Sequence, residues 1–208
     1  MTVPAPFHGA PPDPIGEGDA AARPLTLRPA RRDEAKALSV LVNSAYRGDP
    51  SRVGWTTEAD LLGGQRTDPA ALREFMAAGE TALDRVLLVY EGTAGGTGLD
   101  RLPEACVQLE RRGDDAYLGM LTVQPVRQAS GLGKRLLDAA EGWAAARWGT
   151  RTIIMTVITQ RPELIAWYER RGYNATGETA PFPYGDTRFG EPKRPDLQFI
   201  VLRKPLGG

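Results

Sequence analysis

The sequence predicts a mixed α/β domain, on three observations. Short runs rich in β-branched and aromatic residues alternate with stretches whose apolar residues recur at helical spacing. The element order is β-α-α-β-β-β-α-β-α-β-β, without an internal repeat. The chain has 208 residues, 41% hydrophobic and 25% charged, which suits one ordinary globular core.

Residues 1–23 are rich in Pro, Gly and Ala and carry few large apolar groups. Such a leader cannot offset its ordering entropy, so the folded domain is expected over 24–208. Leu25-Thr26-Leu27-Arg28 reads as a first short strand. Asp33 is placed to cap a helix carrying Ala35, Leu38, Leu41, Val42 and Ala45, which ends near Tyr46 to Gly48. The polar stretch 47–68 holds one candidate short helix, Thr56 to Leu62. Asp68-Pro69 opens a second helix running to about Ala78, with Leu72, Phe75 and Met76 on its buried side.

Three strands are expected next, at Val86 to Tyr90, Ala105 to Glu110 and Ala116 to Val123. A long helix spans Gly131 to Trp148, its stripe formed by Leu132, Leu136, Leu137, Ala140, Trp143 and Ala144. Thr152 to Ile158 is a β-branched strand. Pro162 starts a helix that closes at Gly172, and strands follow at Tyr173 to Gly177 and Leu197 to Leu202.

Composition narrows the chemistry. Lys and Arg number 26, Asp and Glu 26, so no global field favours nucleic acid or an anionic membrane surface. Cys106 is the only cysteine and His8 the only histidine, which argues against disulfides, metal sites and histidine-based triads. No apolar run reaches the roughly 20 residues of a membrane span, and the N-terminus has no signal-peptide pattern. A cytoplasmic protein without a bound metal is expected. Two other features lead nowhere. The glycine-rich stretch 92–98 lacks the Gly-Lys-Ser/Thr ending of a phosphate loop and precedes a strand. Cys106 lies in an apolar strand with no histidine partner, so it reads as a small hydrophobe.

The informative stretch is Leu121-Thr-Val-Gln-Pro-Val-Arg-Gln-Ala-Ser-Gly-Leu-Gly-Lys134, a strand, a turn and an amphipathic helix. Gly131 and Gly133 let a ligand approach the main chain closely. The first amides of a helix have no internal partner and lie at the positive end of its dipole. A pyrophosphate would complement them, with Lys134 and Arg127 nearby. By these residues alone, a turn that binds nothing is equally compatible.

Val123-x-Pro125-x-x-Gln128-x-x-Gly131-x-Gly133 resembles the acetyl-CoA signature of the GNAT N-acetyltransferase superfamily, in which Arg or Gln precedes the spaced glycines. Leu164-Ile-Ala-Trp-Tyr-Glu-Arg-Arg-Gly-Tyr173 resembles the family's aromatic-Tyr helix. The two stretches are in order, and the resemblance extends over roughly Leu25 to Leu202. It implies a central mixed β-sheet with helices on both faces and acetyl-CoA as co-substrate. It further implies that the amides of Gln128, Ala129, Ser130, Gly131, Leu132, Gly133 and Lys134 hold the pyrophosphate. Leu121 and Val123 would pair with the pantetheine arm, where two central strands splay apart.

Transfer of an acetyl group to an amine needs a deprotonated nucleophile and protonation of the departing thiolate. Tyr168 matches the tyrosine facing the CoA sulfur, and its alternative role is to anchor its helix. No carboxylate lies on the strand before the pyrophosphate turn. Glu58, Glu110 or a water chain could serve as base. The acceptor pocket would draw on 46–60 and 180–195, with Tyr46, Trp55 and Tyr184 as binding residues and Arg52 or Arg188 for a substrate carboxylate. The expected partner is a small-molecule amine, not nucleic acid or a membrane, and a homodimer is compatible with the family. A protein lysine or N-terminal acetyltransferase and a non-catalytic acyl-CoA-binding module are the competing readings.

Overall fold

The computed structural model describes residues 25–92 and 103–207. The predicted leader, residues 1–23, and the glycine-rich stretch beyond Gly92 lie outside the described residues. In chain order the elements are β1 (Arg28–Pro29), α1 (Ala35–Tyr46), β2 (Leu62–Gly63), α2 (Pro69–Ala82), β3 (Arg85–Tyr90), β4 (Ala105–Arg112), β5 (Asp115–Val123), α3 (Leu132–Trp148), β6 (Thr152–Ile158), α4 (Pro162–Glu169), β7 (Asn174–Pro181), β8 (Glu191–Pro192) and β9 (Gln198–Pro205).

Local chemistry accounts for most boundaries. Asp68 caps α2, its Oδ1 accepting the N–H groups of Ala70 at 2.7 Å and Ala71 at 2.9 Å, and Pro69 occupies the first turn. A left-handed Gly149 ends α3. Four expectations need correction. Asp33 does not cap α1. A 3-10 turn at Arg32–Glu34 precedes the helix, Glu34 accepts the N–H of Arg31 at 2.7 Å, and Asp33 pairs with Arg31. Thr56 to Leu62 is a turn, not a helix, because Glu58 is drawn into a buried ion pair and Leu62 joins a two-strand ladder with β8. Helix α2 runs past Ala78 because Gly79 lets the helix sit against β3, where a Cβ would stand 2.4 Å from the Arg85 carbonyl. Gly177 does not end β7. It adopts a positive φ of 85° within a bulge between Ala175 and Thr179, and the strand continues to Pro181.

Among the described residues seven strands form one sheet in the order β1-β3-β4-β5-β6-β9-β7. The β5–β6 pair is parallel and the other pairs are antiparallel. The period of two along each strand sends side chains to opposite faces. Leu87, Val89, Cys106 and Met120 face α1 and α2, packing with Leu38, Leu41, Val42, Leu72 and Met76. Leu88, Val107, Leu109, Leu118, Ile153 and Met155 face the other side, with Leu132, Leu136, Leu137, Trp167 and Tyr168. Burial of each such side chain contributes about 1.5–3 kcal/mol. Burial also pushes the Cys106 thiol up to about 12, with a Thr122 hydrogen bond opposing it, so Cys106 is an inert part of this core.

The sheet opens at its middle. Strands β5 and β6 pair only at Asp115↔Thr152, Ala116↔Ile153 and Tyr117↔Ile154, although β5 continues to Val123 and β6 to Ile158. A bulge sets the divergence. Against β4, the register shifts between Cys106↔Thr122 and Gln108↔Gly119, and Met120 takes a left-handed φ of 50°. A bulge increases local twist and bends its strand, which turns the end of β5 away from β6. No helix among the described residues is long and apolar enough to cross a membrane.

Candidate functional site

Two cavities meet at the opening between β5 and β6. The first is lined by Tyr46, Trp55, Thr56, Leu121, Val123, Gln128, Ala129, Gly131, Gly133, Lys134, Arg161, Leu164, Trp167, Tyr168 and Arg171. Sequence elements thus converge from the end of β5, the start of α3, helix α4 and the turn before β2. Ala129 and Gly131 both have positive φ, 60° and 78°, so the chain winds through two left-handed residues into α3. Gly131 is the N-cap, supplies no side chain to the first amides, and a Cβ there would meet nothing within 4 Å. The start of this helix therefore presents free donors to an open surface, the requirement for an oxyanion group. Ser130 turns its hydroxyl back to the Arg127 carbonyl at 2.7 Å, and Leu132 is in the core. Lys134 pairs with Asp138 at 2.6 Å, and Arg127 pairs with Glu104 at 3.3 Å.

Along the opened edge of β5, two carbonyls already accept side-chain donors. Tyr46 donates to Leu121 at 3.0 Å and Gln128 Nε2 to Val123 at 3.3 Å. Each carbonyl has a second lone pair for an added strand-like ligand. Trp55 lies on this cavity's wall, its ring centroid 6.3 Å from that of Trp167, and not on the wall of the second cavity.

The second cavity lies across the opening. Its wall includes Tyr46, Arg47, Glu58, Arg66, Tyr117, Gly119, Met155, Val157, Arg161, Tyr168, Phe182, Phe189 and Phe199. Tyr46, Arg161, Leu164 and Tyr168 line both cavities. The aromatic roof comes from Phe182 just after β7, from β9 and from the 3-10 turn Thr187–Phe189, with Phe182 stacked on Phe199 at 5.6 Å. Tyr184 is not on this wall. Its hydroxyl donates to Arg194 O at 3.0 Å and accepts from Leu197 N at 2.7 Å, which fastens its own loop. Arg52 and Arg188 are engaged elsewhere as well, with Asp60 and Asp186.

Glu58 is 7% exposed and sits between two guanidiniums. Its carboxylate accepts from Arg47 Nη1 and from Arg161 Nη1 at 2.9 Å, and Arg161 Nη2 donates to Thr56 Oγ1 at 2.6 Å. Burial pushes the Glu58 carboxyl up, but the charges of Arg161, Arg47 and Arg66 and the bond from Arg47 outweigh it and hold the group below the usual carboxylate range. The Nε atoms of Arg47 and Arg161 are buried without a hydrogen-bond partner among the described residues. Glu110 lines neither cavity; it sits on β4 opposite the wall residue Tyr117, where its carboxylate accepts from Gln108 at 2.6 Å.

Tyr168 is buried at the junction of the cavities, edge-on to Trp167 at 5.0 Å and to Tyr173 at 5.5 Å. Burial raises its hydroxyl well above the ordinary tyrosine value, and burial pushes Tyr46 up to about 12. Both hydroxyls remain protonated donors throughout the neutral range. Arg47, Arg66, Arg161 and Arg171 were missed by sequence reasoning. Only Arg171 falls within a quoted motif, the Leu164 to Tyr173 stretch, and only the approach of Glu58 to α4 draws Arg47 and Arg161 together.

The acetyltransferase (GNAT) family model matches residues 55–173, from the turn before β2 to just past the end of α4. A search of curated proteins finds no match in sequence. Solved structures share the fold. A spermidine N-acetyltransferase SpeG chimera from Vibrio cholerae and hSSAT superposes with a TM-score of 0.61 at 15% identity, covering 88% of this chain and 95% of that one. YncA from Salmonella typhimurium, solved with its cofactor acetyl-CoA, gives 0.61 at 18% identity, covering 88% and 94%. The ribosomal-protein-S18-alanine N-acetyltransferase from Escherichia coli gives 0.58 at 17% identity, covering 88% and 96%.

Proposed function

The chain belongs to the acetyltransferase (GNAT) family, and we propose that it transfers the acetyl group of acetyl-CoA to the primary amine of a small acceptor, by direct attack within a ternary complex. The observation that carries this reading is the opening between β5 and β6, with the uncapped start of α3 on one side and a cavity roofed by aromatic side chains on the other. Acetyl-CoA supplies the activated acetyl thioester.

The residues of the chain divide the remaining tasks. Amides from Gln128 to Lys134 hold the pyrophosphate, helped by the positive end of the α3 dipole. Main-chain groups at Leu121 and Val123 align the pantetheine arm beside β5. Tyr46 fixes the Leu121 carbonyl on that edge. The acceptor nitrogen, deprotonated through water, attacks the acetyl carbonyl from the second cavity, forming the C–N bond as the C–S bond breaks. Tyr168, at the junction, gives a hydrogen bond or its proton to the leaving sulfur. Glu58 fits a positioning role better than that of the base. Two guanidiniums already share its carboxylate, and a group held below the ordinary carboxylate range is a weak base. The roof of Phe182 and Phe189 favours a small acceptor over a protein lysine or N-terminus.

Two measurements test the reading. Acetyl-CoA at 100 times its Kd should stabilise the fold by about 2.7 kcal/mol, a rise in Tm of roughly 5–10 °C. Free CoA should give a similar shift and ATP none. Thiol release from acetyl-CoA should then depend on an added primary amine. A Tm indifferent to both CoA forms removes the pyrophosphate site. A clear shift with no amine-dependent thiol release in any acceptor panel leaves an acyl-CoA-binding module.

A further inference from the structure

The acceptor cavity carries an excess of positive charge that nothing on its wall balances. Three guanidiniums, of Arg47, Arg66 and Arg161, stand there against the single carboxylate of Glu58. Arg47 and Arg161 are both more than nine-tenths buried and share that one carboxylate. Each also keeps a buried Nε without a hydrogen-bond partner among the described residues, although Arg161 has a second, longer ion pair, its Nε 3.9 Å from Glu163 Oε1. Arg66 is half-buried, has no ion pair among the described residues, and lies over the ring of Tyr46, its Cζ 5.7 Å from the centroid. Buried cations are retained when paired, and an unpaired guanidinium is a forked donor suited to a planar oxyanion.

A free polyamine would bring more positive charge into this wall. An acceptor with a carboxylate would complete it. The rest of the cavity is apolar and aromatic, from Met155, Val157, Phe182 and Phe199, and can take a hydrophobic body. Resting on the acetyl-transfer reading above, we propose that the acceptor is an amino acid or a related amine bearing a carboxylate. Arg66 receives that carboxylate, with Arg47 and Arg161 supplying the surrounding field. The arrangement leaves the amine directed toward the β5–β6 opening and Tyr168.

The test uses matched acceptors on the intact protein: L-phenylalanine, L-leucine and 4-aminobutyrate, each against its carboxamide, with spermidine as a carboxylate-free polyamine. Thiol release is followed at saturating acetyl-CoA. At least one free acid should exceed its amide in kcat/KM by about 100-fold or more, because the amide leaves the buried donors facing a neutral group. Spermidine should be inactive. Arg66→Gln should raise KM for the preferred acid about tenfold or more, with a much smaller effect on kcat and an unchanged Tm shift with acetyl-CoA. Equal turnover of acids and amides, or turnover of spermidine alone, overturns the proposal while leaving the acetyltransferase reading intact. An Arg66→Gln protein that keeps its Tm shift and the KM of wild type also overturns it. Absence of thiol release with every amine, acid or amide, defeats the acetyl-transfer reading itself and this proposal with it.

Discussion

The side chain of Gln128 accepts the backbone N–H of Trp55 at 3.1 Å while its Nε2 donates to the Val123 carbonyl at 3.3 Å. One carboxamide thereby ties the turn before β2 to the end of β5, on the wall of the first cavity. The approach is close, since a Cβ on Gly54 would stand 2.3 Å from Gln128 Oε1. The role needs both an acceptor and a donor on the same group, which an amide has and a guanidinium lacks.

Arg is accepted at the Gln128 position in the family's signature, but Gln128→Arg is expected to be harmful here. It removes the acceptor for Trp55 and crowds Gly54. Loss of about 1 kcal/mol should lower Tm by roughly 2–4 °C, and acetyl-CoA should bind more weakly. Thermal unfolding with and without acetyl-CoA measures both. A Gln128→Arg variant as stable as wild type would show that the tie to Trp55 is dispensable.

Glu58→Gln should destabilise the fold strongly, by about 3–5 kcal/mol, because it leaves the buried Arg47 without its counter-charge and Arg161 with only its longer pair to Glu163. The folded-state carboxyl titrates below its unfolded value near about 4.3. Its contribution is therefore complete above that pH and is lost as pH falls through the folded-state value. Urea unfolding should show wild type weakening below about pH 4.3, with Glu58→Gln lacking that component. In wild type, no ionisation of Glu58 should appear in the neutral limb of the kcat/KM profile. A neutral limb abolished by Glu58→Gln would restore it as the base.

Tyr168→Phe should reduce kcat by about 10²-fold or more if the hydroxyl protonates the leaving thiolate, with the acetyl-CoA Tm shift retained. Burial raises this hydroxyl far above neutrality, so wild-type kcat should show no tyrosine ionisation up to about pH 9. Unchanged turnover in the phenylalanine variant would reduce Tyr168 to a packing residue of α4.

Gly133→Ala and Gly131→Ala should part stability from binding. At Gly133 a Cβ would meet Trp167 at 3.5 Å, an ordinary contact, and helix propensity favours alanine by up to about 1 kcal/mol. At Gly131 the φ of 78° strains any side chain by about 1–2 kcal/mol. The first variant should hold or raise Tm and the second should lower it. Both should weaken acetyl-CoA binding by titration calorimetry, because each adds a methyl to the wall of the cavity. Wild-type affinity in both would place the pyrophosphate elsewhere.

The sequence by itself determined the element order, the family and the strand–turn–helix of residues 121–134. These depend on local signals: period-2 and helical apolar patterning, Asp68 and Pro69 at a helix start, and glycines at fixed spacing where a helix must begin without a side-chain cap. The divergence of β5 from β6 was legible only through the resemblance, since its cause is a left-handed Met120, and no pattern marks a methionine for that conformation. Tertiary structure alone decided the walls of the two cavities. Trp55 turned to the first cavity, Tyr184 fastened its own loop, and Glu58 became the centre of an ion pair with residues 11 and 103 positions away. Charge pairing in a buried space depends on which segments the fold brings within a few ångströms, and that separation bears no relation to spacing along the chain. The same folding event gathered Arg47, Arg66 and Arg161 around one cavity in a chain whose formal charge sums to zero.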